Sequence, residues 1–177
     1  MELKKNLLYI IIFLVIAPSY AQQNLVKTDP DTSYINFGIE AQEIYGTISG
    51  IDTYIILDPE NLNKSEIQGS ATVKTINTGN IIRDKKLLSK NNLNESEFPL
   101  ISFQSTKIEE LEENIYMVTG DLTIRDITEK VYIEMYLQID RILGVSYFNT
   151  IDFDLDIKGE KNNKVDLYLE LFFPGAE

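Results

Sequence analysis

The chain has no histidine, no cysteine and no tryptophan. Without histidine or cysteine the usual ligands of zinc, copper and haem are missing, so neither a metal nor a cofactor is expected. Thiol nucleophiles and Ser-His triads are excluded with them. The lack of cysteine also rules out disulfides, so the core must hold the fold alone. Cations are scarce: 16 Lys and Arg stand against 28 Asp and Glu, a formal charge of −12. Such a surface repels nucleic acid and anionic membranes, and neither is expected as a partner. Asp, Glu, Lys and Tyr remain, so catalysis is not forbidden, but it has lost its commonest groups. A carboxylate enzyme would need two acids facing inward with perturbed pKa values. The predicted inner faces carry none, and no enzymatic activity is expected.

Long apolar runs are equally rare, and the longest is at the start. Lys4 and Lys5 precede an unbroken apolar stretch from Leu7 to Ala17, which Pro18 ends. Ser19-Tyr20-Ala21 then places small residues at the −3 and −1 positions of a cleavage site. This is the pattern of a secretory leader covering residues 1–21. The stretch is short for a membrane span, which takes about 20 apolar residues. No stable membrane anchor is expected. Residues 22–177 are read as one exported domain, periplasmic or secreted, cut near Ala21.

What the rest of the chain does have is alternation. Ile35, Phe37 and Ile39 alternate with Tyr34, Asn36 and Gly38; Ile67 to Thr75 alternates around the small residues Gly69 and Ala71. Ile101 and Phe103, then Tyr116 to Ile124, then Val131 to Ile139 follow suit. So do Phe153, Leu155 and Ile157 between three aspartates, and Val165 to Leu171. With Ile44 to Ile48 and Tyr54 to Leu57 this gives eight or nine strands, each with one apolar face. Gly46 and Gly50 mark a bulge or tight bend. One-faced strands build antiparallel sheets, and closure removes their edges. The expected fold is all-β: an antiparallel β-barrel of about eight strands, filled or holding one small ligand.

The alternation stops between Thr78 and Pro99. Thr78-Gly79-Asn80 is a turn signal, Arg83 to Lys86 crowd opposite charges together, and Leu87 and Leu88 follow. Residues 78–99 read as one long, partly helical connection over an end of the barrel, with an ordinary solvated loop as the alternative. Other patterns carry less. Asp152, Asp154 and Asp156 suggest a calcium loop, but Ile157 and Asn163 stand where it needs Gly and Glu. Acids two apart share the wet face of a strand. Tyr132, Tyr136 and Tyr168 fall on predicted outer faces, where they could stack on sugars or simply favour a strand.

Taken in order, several residues resemble the YceI family of bacterial exported proteins. They are Asp29-Pro30, Ser33, Phe37, Gly46, Asp58-Pro59, Thr78-Gly79-Asn80 and Arg83-Asp84. Leu87, Ser89, Phe98-Pro99, Ile101, Phe103, Ser105, Gly120-Asp121-Leu122-Thr123-Ile124 and Thr128 complete the set. The likeness is good over residues 28–140 and weaker beyond. It implies an elongated lipocalin-like barrel whose apolar lumen binds polyprenyl chains or isoprenoid quinones. Thr32 and Lys86 stand where the family often has His, and Asn92 and Leu93 where it has paired aromatics. Asp126 and Asp154 replace glycines, and Thr150 replaces an Arg.

The expected function is carriage of an amphiphilic isoprenoid-type lipid in the lumen. Ile35, Phe37, Val73, Ile101, Phe103, Met117, Leu122, Val131, Ile133, Met135, Phe153 and Leu155 are the lining candidates, each with plain core as its alternative. Arg83 is the head-group candidate, or else a partner of Asp84 or Asp126. A homodimer is left open. The competing expectation is an exported scaffold, interaction or stress protein with a filled core. A continuous cavity separates the two.

Overall fold

The computed structural model describes residues 25–175; the expected leader lies outside them. Among the described residues there are ten strands and one helix. The strands are β1 (Leu25–Val26), β2 (Tyr34–Ile39), β3 (Ile44–Ile48), β4 (Ile51–Ile56) and β5 (Glu66–Thr72). After the helix α1 (Ile81–Leu88) come β6 (Leu100–Glu112), β7 (Ile115–Ile124), β8 (Ile127–Leu137), β9 (Arg141–Asn149) and β10 (Lys164–Phe172). All pair antiparallel in one curled sheet, in the order β1-β4-β5-β6-β7-β8-β9-β10-β2-β3.

These ten strands make eight staves. β1 is a two-residue extension beside β4. β3 and β4 sit at opposite ends of the strand order, yet only Ser49 and Gly50 separate them in the chain. They run in the same direction and are two halves of one bent stave. Its first half pairs with β2, Ile48 opposite Ile35; its second half pairs with β5, Ile51 opposite Ala71. The covalent chain therefore joins the two sides of the sheet. Gly50 turns the corner at φ +62°. Thr72 donates from its hydroxyl to the Gly50 carbonyl at 3.2 Å, and Thr75 accepts from the Ser49 N–H at 2.9 Å.

The inner face is apolar because the alternation puts it there. β7 is the clearest case: Tyr116, Val118, Gly120, Leu122 and Ile124 are buried, while every residue between them is partly exposed. Phe103 rests against the missing side chain of Gly120, where an added Cβ would lie 2.4 Å from the ring. The helix has its own local cause. Asn80 caps it, accepting from the N–H groups of Ile82 and Arg83 at 3.0 and 3.1 Å. Asp84 accepts from the Thr78 N–H and hydroxyl at 2.9 and 2.6 Å, fixing the turn into the helix.

Several sequence expectations are corrected. Residues 153–157 are not a strand: Thr150–Phe153 form a 3-10 turn and Asp154 is left-handed at φ +49°. Phe153, Leu155 and Ile157 are still buried, so the apolar spacing was real but belonged to a loop. β8 ends at Leu137, and Ile139 is fully exposed in the following turn. The strand expected to run to Thr75 gives way at Val73 to a 3-10 turn. β9 was not foreseen, because its pattern is inverted: Val145 and Tyr147 are exposed outside, and Gly144 and Ser146 face in.

The corner at Gly50 yields a prediction. Gly50→Ala forces a left-handed backbone on an L-residue and puts a Cβ 2.7 Å from Thr72 Oγ1. It should lower unfolding stability in urea by about 1–3 kcal/mol. No change would mean that the corner is not a constrained point.

Candidate functional site

Two apolar chambers lie end to end inside the barrel. The first, about 120 Å³, takes its walls from all eight staves. Ile55, Ile67, Phe103, Val118, Ile133, Met135, Leu169 and Leu171 are among them. The second, about 130 Å³, lies beneath α1 and is walled by Phe37, Ile39, Ile48, Leu87, Leu93, Ile124, Phe148, Leu155 and others. Ile35, Ala71, Ile101, Leu122 and Leu167 line both and form the waist between them. No charged side chain lines either chamber among the described residues. Each chamber is comparable to an engineered cavity that binds benzene and smaller than the usual ligand pocket of about 300–1,000 Å³. A long chain would have to part the waist.

Of the expected lining residues, Ile35, Phe37, Ile101, Phe103, Leu122, Val131, Ile133, Met135 and Leu155 border a chamber. Three do not. Met117 is on the outer face of β7, because the strand keeps its phase through Gly120; the irregularities lie opposite, in β6 at Ser105/Lys107 and Glu110/Glu112. Val73 is buried in the turn after β5. Phe153 is fully buried against Phe148, ring centroids 5.1 Å apart and nearly perpendicular. Both are core rather than lumen. Arg83 is on α1 beside a surface niche shared with Ile44, Lys86 and Lys158. It forms an ion pair with neither Asp84 nor Asp126 among the described residues.

The roof of the second chamber is completed by a cap that sequence reading missed. Arg125, left-handed at φ +58° in the turn after β7, donates to the carbonyls of Asn92, Phe153 and Asp154 at 3.0, 3.1 and 3.4 Å. One guanidinium thus ties the loop after α1 to the turn after β9. Asn92 is buried and lines the chamber; its Nδ2 donates to the Lys86 carbonyl at 3.0 Å. Among the described residues, Asn92 Oδ1 and Arg125 Nε are buried without a hydrogen-bond partner. Outside the cap, the Lys161 ammonium, 2.9 Å away, holds the Asp154 carboxyl below the usual carboxylate range. The cue for Arg125 was its place between a strand ending at Ile124 and one starting at Ile127, where a left-handed turn residue is needed.

Several of the motif residues build the barrel's frame. Ser33 accepts from the Phe172 N–H at 3.0 Å, and Ser105 accepts from the Ile67 N–H at 2.9 Å beside the β6 irregularity. Gly46 leaves room for the ring of Phe37, to which an added Cβ would approach within 2.7 Å.

Comparison with known proteins agrees. A family model described as YceI-like domain matches residues 27–173. Protein YceI of Salmonella agona is 26% identical over 141 residues, covering 76% of this chain and 73% of its own. A UPF0312 protein of Photorhabdus laumondii is 31% identical over 94 residues; the match covers 53% of this chain and 48% of that protein. Among solved structures, BcnA of Burkholderia cenocepacia superposes with a TM-score of 0.71 at 18% identity, over 82% of this chain and 98% of its own. A polyisoprenoid-binding domain from Saccharophagus degradans, implicated in plant cell wall breakdown, has a TM-score of 0.58 at 12% identity. It is covered completely, against 86% of this chain. At those identities the likeness concerns the fold.

Two predictions follow from the geometry. Gly69 faces the first chamber, and a Cβ there would meet only the Asp52 carbonyl, at 3.8 Å. Gly69→Leu should fill the chamber with no loss of stability and weaken uptake of an apolar probe, read by fluorescence titration, about tenfold or ~1.4 kcal/mol. Unchanged uptake would place the binding elsewhere. Arg125→Met removes the bonds that hold the cap. It should cost about 1.5–3 kcal/mol and speed amide exchange at residues 89–95 and 150–161; unchanged protection there would deny the cap its clamp.

Proposed function

The chain belongs to the YceI-like family, and from that premise we propose that its barrel binds and carries an amphiphilic isoprenoid-type lipid or quinone. The observation behind this reading is the lumen: two chambers in line, walled mainly by aliphatic and aromatic side chains and free of charge among the described residues. An unbranched or methyl-branched chain needs no more. Burial of its surface is worth roughly 25 cal/mol per Å² before ordering losses, so affinity grows with length without polar contacts. The polyisoprenoid-binding domain from Saccharophagus degradans shares the fold and points the same way. Catalysis forms no part of the proposal, since among the described residues no inward carboxylate or other ionisable group lines the lumen. Export to the periplasm or the medium belongs to the proposal through the leader pattern at residues 1–21.

The chamber sizes favour a second reading, an exported scaffold or stress protein with a nearly filled core. Native mass spectrometry of the protein from a related host, followed by organic extraction, separates the two. Carriage predicts a co-purifying lipid of isoprenoid mass, or an adduct after incubation with polyprenyl phosphates or quinones. A clean apo mass after both would favour the scaffold.

A further inference from the structure

We propose that the outward face of α1 docks the protein on an anionic lipid bilayer. The helix is two-sided. Its inner side carries Leu87, which is buried and roofs the second chamber. Its outer side opens with two isoleucines in open solvent: Ile81 is 73% exposed and Ile82 81%. Neither packs on the core, and a polar residue would cap the chamber as well. The remaining exposed residues of this segment are Lys85, Lys86 and Lys90. Two bare isoleucines set among lysines, with no acid on the exposed side, are the composition of a shallow interfacial helix. The apolar pair enters the headgroup–acyl boundary and the lysines meet anionic headgroups, each worth about fivefold in partitioning.

Several acids near this face have partners of their own: Asp156, which shares a surface groove with Lys86 and Lys90, accepts from the Gly159 N–H at 2.6 Å. Asp84 is half-buried and accepts from Thr78. Glu97 accepts from Asn94 Nδ2 at 2.8 Å, and Asp154 pairs with Lys161 at 2.9 Å. The formal charge of −12 led to the expectation that anionic membranes would repel the chain, but that charge is unevenly placed. A dense acidic run, Glu109, Glu110, Glu112 and Glu113, occupies the last residues of β6 and the turn after it, at the opposite end of the barrel. The 13 residues of β6 span about 40 Å. At physiological salt the screening length is about 8 Å, so a membrane touching α1 does not feel those acids. The same distribution orients the molecule with its roofed chamber toward the bilayer. A carrier needs such contact to exchange its cargo; the inference takes its purpose from the carrier reading, while the docking itself is measurable without cargo.

The test is co-sedimentation of the mature protein, stripped of lipid, with vesicles of phosphatidylglycerol and phosphatidylcholine in equal parts and with vesicles of phosphatidylcholine alone. Binding to the mixed vesicles is expected, falling about tenfold or more on phosphatidylcholine alone and in high salt. Ile81→Asp with Ile82→Asp, and separately Lys85→Glu with Lys90→Glu, should each lower it by a similar factor with the melting curve unchanged. Leu111→Asp, at the exposed tip of the far end, and Gly69→Leu should dock like the parent. Lack of binding to the mixed vesicles, equal binding to both compositions, or loss with Leu111→Asp but not with the α1 variants would overturn the proposal. Docking by a protein that takes up no lipid would leave it standing and sink the carrier reading instead.

Discussion

The structure depends on one bent stave. A sheet of this length has two edges, and each edge would present unpaired N–H and C=O groups to other chains. Here the strand entering the corner at Ser49-Gly50 serves one edge and the strand leaving it serves the other. The gap beside β3 is closed by a short bridge, with Thr47 and Asn77 exchanging N–H···O bonds at 2.9 Å. Once the ring is joined, every inward position must face another inward position across the axis. The lumen is the consequence of that closure and of inner side chains too few to fill it.

How much of this was legible in the sequence depends on what carried the signal. Strands with large apolar residues inside and polar ones outside, such as β2, β8 and β10, were readable from period alone. β9 was not, because Gly144 and Ser146 make the inner wall thin while Val145 and Tyr147 look inward but are not. An added Cβ at Gly144 would come 3.2 Å from Ile133 and Leu169, so the wall is small there for a packing reason that no local pattern announces. The aspartates at 152, 154 and 156 mimicked a strand because a 3-10 turn followed by a left-handed residue also buries alternate side chains. Met117 was misplaced because Gly120 leaves a gap in the apolar alternation of β7; the glycine only makes room for Phe103, and the phase runs through it. Arg125 escaped because its three acceptors are backbone carbonyls from segments 28 to 33 residues away. Pairing of that kind exists only after folding.

The helical connection was legible for a different reason: its chemistry is local. Asn80 caps the helix from one residue before it, and Asp84 ties back to Thr78 six residues away. What could not be read was the direction of its faces. The helix has Leu87 and Leu88 at one end and Ile81-Ile82 at the other, and either pair could have been the buried one. The caps decide it. Asn80 and Asp84 fix the first turn in the rim of the barrel, and Leu93 donates back to the Leu87 carbonyl at 3.0 Å, drawing the last turn down over the second chamber.

This division has consequences for selectivity. A lumen without charge discriminates by length and cross-section, at about 0.8 kcal/mol for each buried methylene. Its few polar groups, such as Asn92 and Thr150, are uncharged, so among the described residues nothing inside pairs with a charged head group. Any preference for a charged head group must therefore arise outside the chambers. The polar groups nearest the second chamber are in the cap, where Arg125 is committed to carbonyls and Lys161 to Asp154. A charged head that sought those groups would first have to break the clamp that keeps the chamber roofed. The lysines of α1 are under no such commitment among the described residues. Recognition of charge at this end thus belongs to the outer surface, and the interior is left to measure the chain.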